Sequence, residues 1–259
     1  MSNGPAACSA ELLGKTALIT GAARRVGAQI ARALHGAGAN VVLHFRSSAL
    51  DAENLARELN ELRPGSAVLA EFDLLDMASL PALSATAVRA FGRLDVLVNN
   101  ASTFYPTPVG EISERAWDDL IGTNLRAPLF LAQASAAALR ESAGLILNLA
   151  DIHGMRPLKH HPVYCIAKAG LIMLTKSLAR ELGPEVRVNA IAPGPVMWPE
   201  VGLDEHLQEE IIARTALKRP GSAQDVASAA LFFATSAPYV TGQILAVDGG
   251  RSVGASVGA

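Results

Sequence analysis

The chain has 259 residues, half of which are hydrophobic, and a formal net charge of −2. This length and composition suffice for one α/β domain with a large core. The near-neutral charge argues against a nucleic-acid-binding surface, and the sequence offers no uncharged apolar stretch of about 18 residues that would predict a membrane span.

The first predicted element is a flexible N-terminal tail, residues 1–14, followed by a single domain over residues 15–259. The tail lacks the charged start and apolar stretch of a secretory signal, so a cytoplasmic location is expected. Cys8 and Cys165 offer no disulfide framework, and the histidines show no metal-ligand spacing, so no metal is predicted. His160 and His161 are interpreted as part of a solvated loop.

Short runs rich in β-branched residues and leucine alternate with helix-length segments along the domain. These runs are Thr16–Thr20, Asn40–Phe45, Ala67–Phe72, Leu94–Val98, Leu145–Leu149, Val186–Ile191 and Ile244–Val247. Apolar strands linked by helices are typical of a parallel sheet covered on both faces. We therefore predict an α/β, Rossmann-like, doubly wound parallel sheet of about seven strands, with a ligand crevice at the carboxyl ends of the strands.

The segment TGAARRVG follows the first predicted strand and opens a helix. At such a turn a dinucleotide pyrophosphate can rest on free backbone amides and the positive end of the helix. Gly21 and Gly27 occupy glycine positions of the turn, whereas Arg25 stands where a glycine usually allows close approach. Arg25 could clamp a phosphate instead. The alternative is a tight structural turn with two exposed arginines.

The second predicted strand ends in HFRSS, where a dinucleotide-binding fold selects its cofactor. An acid at this position would accept hydrogen bonds from a ribose, but none is present. Arg46, with the neutral donors Ser47 and Ser48, suits the extra phosphate of NADPH, so NADPH is favoured over NADH. The alternative for Arg46 is a solvated arginine in a turn.

Polar residues also stand at the ends of the third and fourth predicted strands. Asp73 closes the third strand and could accept the adenine amino group, or else cap the helix that begins near Ser79. The fourth strand ends in NNAS, which leaves backbone room for the nicotinamide half of the cofactor. Asn124 interrupts an apolar helix just ahead of Pro128, which predicts a locally opened helix where the amide could position a water or the lysine.

Tyr164 and Lys168 stand one turn apart in a predicted helix from about Pro162 to Leu182. This spacing places phenol and ammonium on one face, where the cation is expected to lower the pKa of the phenol and ready it for proton transfer. Asp151 ends the apolar run GLILNLAD, thirteen residues before Tyr164. A carboxyl beside the phenol could share a proton with it. The pair by itself also fits an ordinary amphipathic helix.

Taken together, TGxxxRxG, NNAS, Asn124, Asp151, Tyr164, Lys168, PGP and VDGG resemble the short-chain dehydrogenase/reductases over nearly the whole chain. Most members of that family have serine at the position of Asp151 and glycine at the position of Arg25. These two differences, with the segment NNASTFYPTP, resemble the pteridine reductases of the family. The resemblance implies that Arg25 and Ser102 reach both cofactor and substrate, that Phe104 stacks on the pterin, and that the protein is a homotetramer.

The complete set of predicted site residues follows from these patterns and the resemblance. The predicted catalytic residues are Asp151, Tyr164, Lys168 and Asn124. The predicted cofactor-binding residues are Gly21, Arg24, Arg25, Val26, Gly27, His44, Phe45, Arg46, Ser47, Asp73, Leu74, Asn100, Ala101, Ser102, Tyr164, Lys168, Pro193, Gly194 and Val196. The predicted substrate-binding residues are Arg25, Ser102, Phe104, Asp151, Tyr164 and Trp198, the last in a lid around residues 195–216.

The leading hypothesis is an NADPH-dependent pteridine reductase, which transfers a hydride to an imine carbon of a dihydropterin, pterin or dihydrofolate. A carbonyl reductase for a 3-oxoacyl or quinone substrate is the second hypothesis, with Asp151 as a tolerated replacement for serine. The third is a non-catalytic NADP-binding redox sensor, since a fold alone does not establish chemistry. The predicted partner of the site is a small molecule, with neither nucleic acid nor membrane.

Overall fold

A computed structural model describes residues 10–196 and 204–253. Residues 1–9 of the predicted tail lie outside this description. Trp198, the predicted substrate residue in the lid, also lies outside it.

The described residues contain a seven-stranded parallel sheet with the strand order β3-β2-β1-β4-β5-β6-β7. The strands are β1 Thr16–Ile19, β2 Asn40–Phe45, β3 Ala67–Glu71, β4 Val96–Asn99, β5 Leu145–Leu149, β6 Arg187–Pro193 and β7 Ile244–Val247. The predicted fold class is confirmed. The order reverses between β1 and β4, and a ligand crevice is expected at the carboxyl ends of strands beside such a reversal.

Helices cover both faces of the sheet. They are α1 Arg25–Gly36, α2 Ala49–Leu62, α3 Leu80–Phe91, α4 Glu114–Ile121, α5 Ala127–Glu141, α6 Pro162–Leu182, α7 Glu205–Ala213 and α8 Ala223–Thr235. Successive strand residues point to opposite faces, so Ile19 packs in a core with α1, α2 and α8, whereas Leu18 packs in a second core with α3, α5 and α6. This double burial explains why the strands are continuously apolar.

A chain of buried polar side chains fixes α6 against the sheet. Asn99 Nδ2 in β4 donates to Asn148 Oδ1 in β5 at 2.8 Å, and Asn148 Nδ2 donates to Thr175 Oγ1 in α6 at 2.9 Å. Buried polar groups need such partners, so the chain favours one register of α6 against β5. Thr175 lies two helical turns after Lys168 and on the same face, so this register also places the predicted catalytic pair.

Helix α6 is long and apolar enough to cross a membrane by length and composition, with a hydropathy of 1.2, although it contains Lys168 and Lys176. A buried helix of a globular domain passes the same test. Here α6 packs against β6 and buries Tyr164, Lys168 and Thr175. We therefore assign it to the globular domain, with one face of the helix in the core.

Candidate active site

A cleft of about 360 Å³ lies at the carboxyl ends of the first strands of the sheet. The predicted residues that line it are Gly21, Arg24, Arg25, Val26, Gly27, His44, Phe45, Arg46, Ser47, Asp73, Leu74, Asn100, Ala101 and Ser102. Ala23, Thr103 and Thr123 also line it, and the sequence did not single them out. Five chain segments thus meet at one crevice, because parallel strands bring their carboxyl ends to the same edge.

Asn100, the residue after β4, fixes the turn between β1 and α1. Asn100 Nδ2 donates to the carbonyl oxygens of Thr20 at 2.9 Å and Gly21 at 3.0 Å. A Cβ on Gly27 would collide with the Gly21 carbonyl and lie 2.6 Å from Asn100 Nδ2. Glycine is therefore required at position 27 for the turn to close, as its place in the sequence pattern predicts.

Arg25 has a backbone conformation that favours glycine. Its φ is +54°, in the left-handed region that costs a residue with a side chain about 1–2 kcal/mol. The preceding residue, Arg24, is the N-cap of α1 and makes no side-chain cap hydrogen bond. The first N–H groups of α1 therefore lie beside two cationic side chains at the cleft, an arrangement that suits a phosphate group.

His44 has a structural role that the sequence did not reveal. Its buried ring accepts a hydrogen bond from the Gly21 N–H at Nδ1 and donates from Nε2 to the Phe72 carbonyl, each at 3.1 Å. A carbonyl oxygen can only accept, which assigns the proton to Nε2. Burial lowers the pKa of His44 to about 4. The neutral ring thus links the first turn to the end of β3.

Arg46 and Asp73 face each other across the outer end of the cleft, with Arg46 Nη1 4.0 Å from Asp73 Oδ1. Both side chains are about half exposed. Asp73 Oδ1 accepts a hydrogen bond from the Leu75 N–H at 2.9 Å. Since this carboxylate bonds two residues ahead, the alternative that Asp73 caps the helix near Ser79 is wrong.

Asp151 and Tyr164 form a direct hydrogen bond beside the cleft. The phenol oxygen of Tyr164 donates to Asp151 Oδ2 at 2.8 Å, and Asp151 Oδ1 accepts from the His153 N–H at 2.8 Å. Asp151 follows β5 and is fixed as the N-cap of a short 3-10 turn, Ile152–Gly154. The carboxylate therefore faces the phenol in a defined orientation.

Lys168 is buried beside Tyr164, with its ammonium 5.6 Å from the centre of the Tyr164 ring. Its Nζ donates to the Leu149 carbonyl at 2.8 Å. Burial lowers the pKa of Lys168 to about 8, partly opposed by Asp151.

The phenol of Tyr164 does not have the lowered pKa that the lysine was expected to produce. Burial, with the adjacent Asp151 carboxylate, raises the pKa of Tyr164 well above its ordinary value, and the nearby Ser102 hydroxyl opposes the rise only in part. That expectation is wrong for this structure, because burial and a carboxylate at hydrogen-bonding distance outweigh a cation over the ring. Tyr164 is therefore held in its protonated, proton-donating form.

Asn124 lies in a π-helical turn, Gly122–Arg126, between α4 and α5, so the predicted local opening of the helix is confirmed. Its Nδ2 donates to the carbonyl oxygens of Leu120 at 3.0 Å and Thr103 at 2.9 Å, and its Oδ1 accepts from Ser102 Oγ at 2.6 Å. The side chain thus supplies a hydrogen bond to the Leu120 carbonyl, one helical turn earlier, and fixes the loop after β4. Its hydrogen bonds position Ser102 rather than the lysine.

Phe104 lies at the mouth of the site with 48% of its surface exposed, so it is not a core residue. Its ring meets Tyr164 edge-on, with 4.8 Å between centroids, and stacks on His161 at 4.7 Å and 8°. His160 and His161 lie in the loop before α6, as interpreted; His160 is exposed, whereas His161 is only partly exposed because its ring covers Phe104. No local sequence signal indicates the contact of His161 with Phe104, because the two residues belong to segments that are distant along the chain.

The remaining predicted residues lie outside the first cleft. Tyr164 and Lys168 stand deeper, on α6. Pro193 is the last residue of β6 and Gly194 follows it, where the Gly194 N–H donates to the Val247 carbonyl at 3.0 Å. Val196 lines a separate cleft of about 400 Å³ at the end of β7. Within residues 10–196 and 204–253, no group of three or more His, Cys, Asp or Glu side chains is placed to hold a metal ion.

Comparison with known proteins identifies the family of this chain. The sequence pattern of a family described as enoyl-(acyl carrier protein) reductase matches residues 21–252. Pteridine reductase 1 of Leishmania tarentolae is 38% identical over 278 residues, covering 92% of this chain and 96% of that protein. A 3-oxoacyl-(acyl-carrier-protein) reductase of Staphylococcus aureus is 36% identical over 240 residues, covering 91% and 97%.

A solved structure shows the same fold. The crystal structure of a blue fluorescent protein from a metagenomic library, in complex with NADPH, has a TM-score of 0.88 at 32% identity. The match covers 93% of this chain and 99% of that one. The chain belongs to the short-chain dehydrogenase/reductase family.

Membership in the short-chain dehydrogenase/reductase family makes the chain an NAD(P)-dependent oxidoreductase. The relatives differ in the substrates that their names state, at nearly equal identity to this chain. The family resemblance predicted from the sequence is confirmed. The substrate must therefore be argued from the residues of the site.

Replacing His44 tests whether its neutral ring supports the turn of this short-chain dehydrogenase/reductase. The pKa of about 4 lies below the ordinary value of 6.5, so the unfolded chain binds the proton more tightly and stability falls as the pH drops from about 6.5 to about 4. Over this pH range, we expect the free energy of unfolding of wild type to fall by up to about 3 kcal/mol because of His44. His44→Gln should not show this loss.

Urea unfolding at pH 7 and pH 4 measures the difference. His206→Gln is the control, because the side chain of His206 is 78% exposed. Equal pH dependence in wild type and His44→Gln would contradict the assignment.

Proposed function

We propose that the protein is an NADPH-dependent pteridine reductase that reduces an imine carbon of a pterin, a dihydropterin or dihydrofolate to give the tetrahydro form. The observation that carries the proposal is the 2.8 Å hydrogen bond between Tyr164 and Asp151, beside the exposed ring of Phe104. A phenol is sufficient to protonate one carbonyl oxygen, whereas a pterin presents ring nitrogens that a carboxyl group can serve.

NADPH is the predicted cofactor, and it agrees with the family and with the NADPH complex of the similar structure. The residues of the first cleft fit it. The uncapped start of α1 with Arg24 and Arg25 would hold the pyrophosphate, and Arg46 with Ser47 would hold the additional phosphate. When bound, NADPH supplies the hydride for the reduction.

The chain supplies the proton through Tyr164 and Asp151. Since the pKa of Tyr164 is raised well above its ordinary value, the phenol keeps its proton at neutral pH. Its hydrogen bond to Asp151 Oδ2 at 2.8 Å orients the carboxyl group and links the two side chains in one proton path. In the proposed step Asp151 passes a proton to the ring nitrogen next to the carbon that receives the hydride, and the pair is reprotonated from solvent.

Phe104 would form the outer wall of the substrate site. Its half-exposed ring contacts the edge of Tyr164, so a flat heterocycle stacked on it lies beside the proton donor. Ser102, on the same loop and bonded to Asn124, lies near the phenol. Arg25 at the cleft would reach both ligands, as the resemblance implies.

A carbonyl reductase is the second candidate function, because one of the relatives is named as a 3-oxoacyl-(acyl-carrier-protein) reductase. Tyr164 and Lys168 alone would serve that reaction, with Asp151 as a replacement for serine. The two functions differ in whether the carboxyl group of Asp151 is needed.

Replacing Asp151 by asparagine decides between these functions. Asp151→Asn keeps the size of the side chain and an oxygen for the His153 N–H, but it cannot release a proton. We expect pterin turnover to fall about 10²–10⁴-fold while reduction of a 3-oxoacyl substrate changes little. Steady-state assays of NADPH oxidation with dihydrobiopterin, dihydrofolate and a 3-oxoacyl thioester measure both rates.

Two further variants sharpen that comparison. Asp151→Ser can also cap the short turn, so it should behave like Asp151→Asn if acidity is what matters. Asp118→Asn, an exposed residue of α4, serves as the control. An unchanged pterin rate in Asp151→Asn would remove the carboxyl group from the mechanism.

Arg46 is expected to give the preference for NADPH. Arg46→Ala should weaken NADPH binding about tenfold or more and leave NADH binding nearly unchanged, because only NADPH carries the extra phosphate. Fluorescence titration of both cofactors measures the two dissociation constants, with Arg180→Ala at the exposed end of α6 as the control. Equal weakening of both cofactors would contradict this role.

We also propose that the protein is a homotetramer assembled through α5 and α6. These helices expose Leu129, Phe130, Ile166 and Met173, of which Met173 is 60% exposed. Apolar side chains grouped on a solvent face suit an interface between copies.

The cytoplasmic location expected from the sequence stays a prediction.

Light scattering tests the assembly. Wild type should have the mass of four chains, and Met173→Glu should lower it because a charge would be buried at the interface. Leu62→Glu, on α2 and 74% exposed, should leave the mass unchanged. A monomeric wild type would contradict the proposal.

A further inference from the structure

An aromatic stack at the mouth of the site contains a residue that the proposed reaction does not use. The stack consists of His161, Phe104 and Tyr164. The imidazole of His161 lies nearly parallel to the Phe104 ring, at 4.7 Å and 8°, and Phe104 meets Tyr164 edge-on at 79°. His161 therefore covers one face of the Phe104 ring, and the ring of Tyr164 makes a second contact with Phe104.

His161 is itself fixed by the start of α6. It is the N-cap residue of that helix, and its carbonyl accepts the hydrogen bond of the Cys165 N–H at 3.0 Å. Its ring Nδ1 lies 2.9 Å from the Lys159 carbonyl, which can only accept, so Nδ1 is the donor. The orientation of the imidazole is thus set by a helix end and a hydrogen bond.

The loop that carries Phe104 is tied to the same place. The Thr107 N–H donates to the carbonyl of His160 at 2.7 Å. Phe104 is therefore linked to the start of α6 by its ring and, three residues later, by its backbone. An aromatic side chain on an exposed loop would otherwise lose rotational freedom each time a ligand stacks on it.

We propose that His161 is a positioning residue for the substrate: it backs the ring of Phe104 and fixes the plane on which a flat heterocycle stacks. This inference rests on the proposed function and deepens it, because it makes His161 a determinant of specificity for planar substrates. His161 acts through Phe104, and the chemistry stays with Asp151 and Tyr164.

Substitution of His161 separates this role from a general structural one. In His161→Ala we expect the KM for dihydrobiopterin to rise about fivefold, the size of one aromatic pair, with kcat little changed. The dissociation constant of NADPH and the KM for a 3-oxoacyl substrate should stay at their wild-type values. His161→Phe keeps the stacking face and should restore the KM for the pterin.

The neighbouring histidine provides the matched control. His160 is exposed, has a φ of +65° and contributes its backbone carbonyl to the loop, so His160→Asn should leave every constant unchanged. An unchanged or lowered KM for the pterin in His161→Ala would overturn the proposal. A lowered KM would mean that the imidazole occupies the place of the substrate ring. Failure of His161→Phe to restore the KM would also overturn the proposal.

Two measurements keep this test distinct from that of the proposed function. The ring protons of His161 should show an upfield NMR shift that is lost in Phe104→Leu, without any substrate; absence of the shift overturns the stack. Pterin fluorescence titrates binding to the NADP-loaded protein. Wild type that neither binds nor reduces pterins contradicts the proposed function, whereas pterin binding that is equal in wild type and His161→Ala contradicts only the role of His161.

Discussion

The hydrogen bond between Tyr164 and Asp151 is the interaction on which the site depends. It joins α6 to the end of β5 across 2.8 Å, and both partners are held from other directions. Asp151 caps a short turn, and α6 is fixed by the buried chain from Asn99 through Asn148 to Thr175. The site therefore lies between elements whose relative position is set by buried polar contacts as well as by apolar packing.

Burial determines the protonation states in this site. Lys168 keeps one hydrogen bond to the Leu149 carbonyl, and its pKa falls to about 8, while the pKa of Tyr164 rises. Both shifts favour the neutral form of the group, which is the general effect of removing a charge from water. The tyrosine thus keeps its proton at neutral pH, and in the proposed reaction the neighbouring carboxyl group passes a proton to the substrate.

Local patterns in the sequence predicted much of the fold and part of the site. The strand from Asn40 to Phe45 and the helix from Pro162 to Leu182 have the predicted bounds. The opened helix at Asn124 was also predictable, because a polar residue ahead of a proline disturbs the helix locally. The His44 link and the stack of His161 on Phe104 were not, since each joins segments that are distant along the chain.

The sequence by itself determined the parallel sheet, the turn that requires Gly27, the family, and the helical spacing of Tyr164 and Lys168. These features depend on the identity and periodicity of neighbouring residues, which local sterics and alternating burial translate directly into structure. Only the tertiary structure decided that Asp151 bonds the phenol, that the pKa of Tyr164 rises, and that His161 covers Phe104. Those outcomes depend on distances and desolvation between side chains from separate elements, and such quantities exist only once the chain has packed.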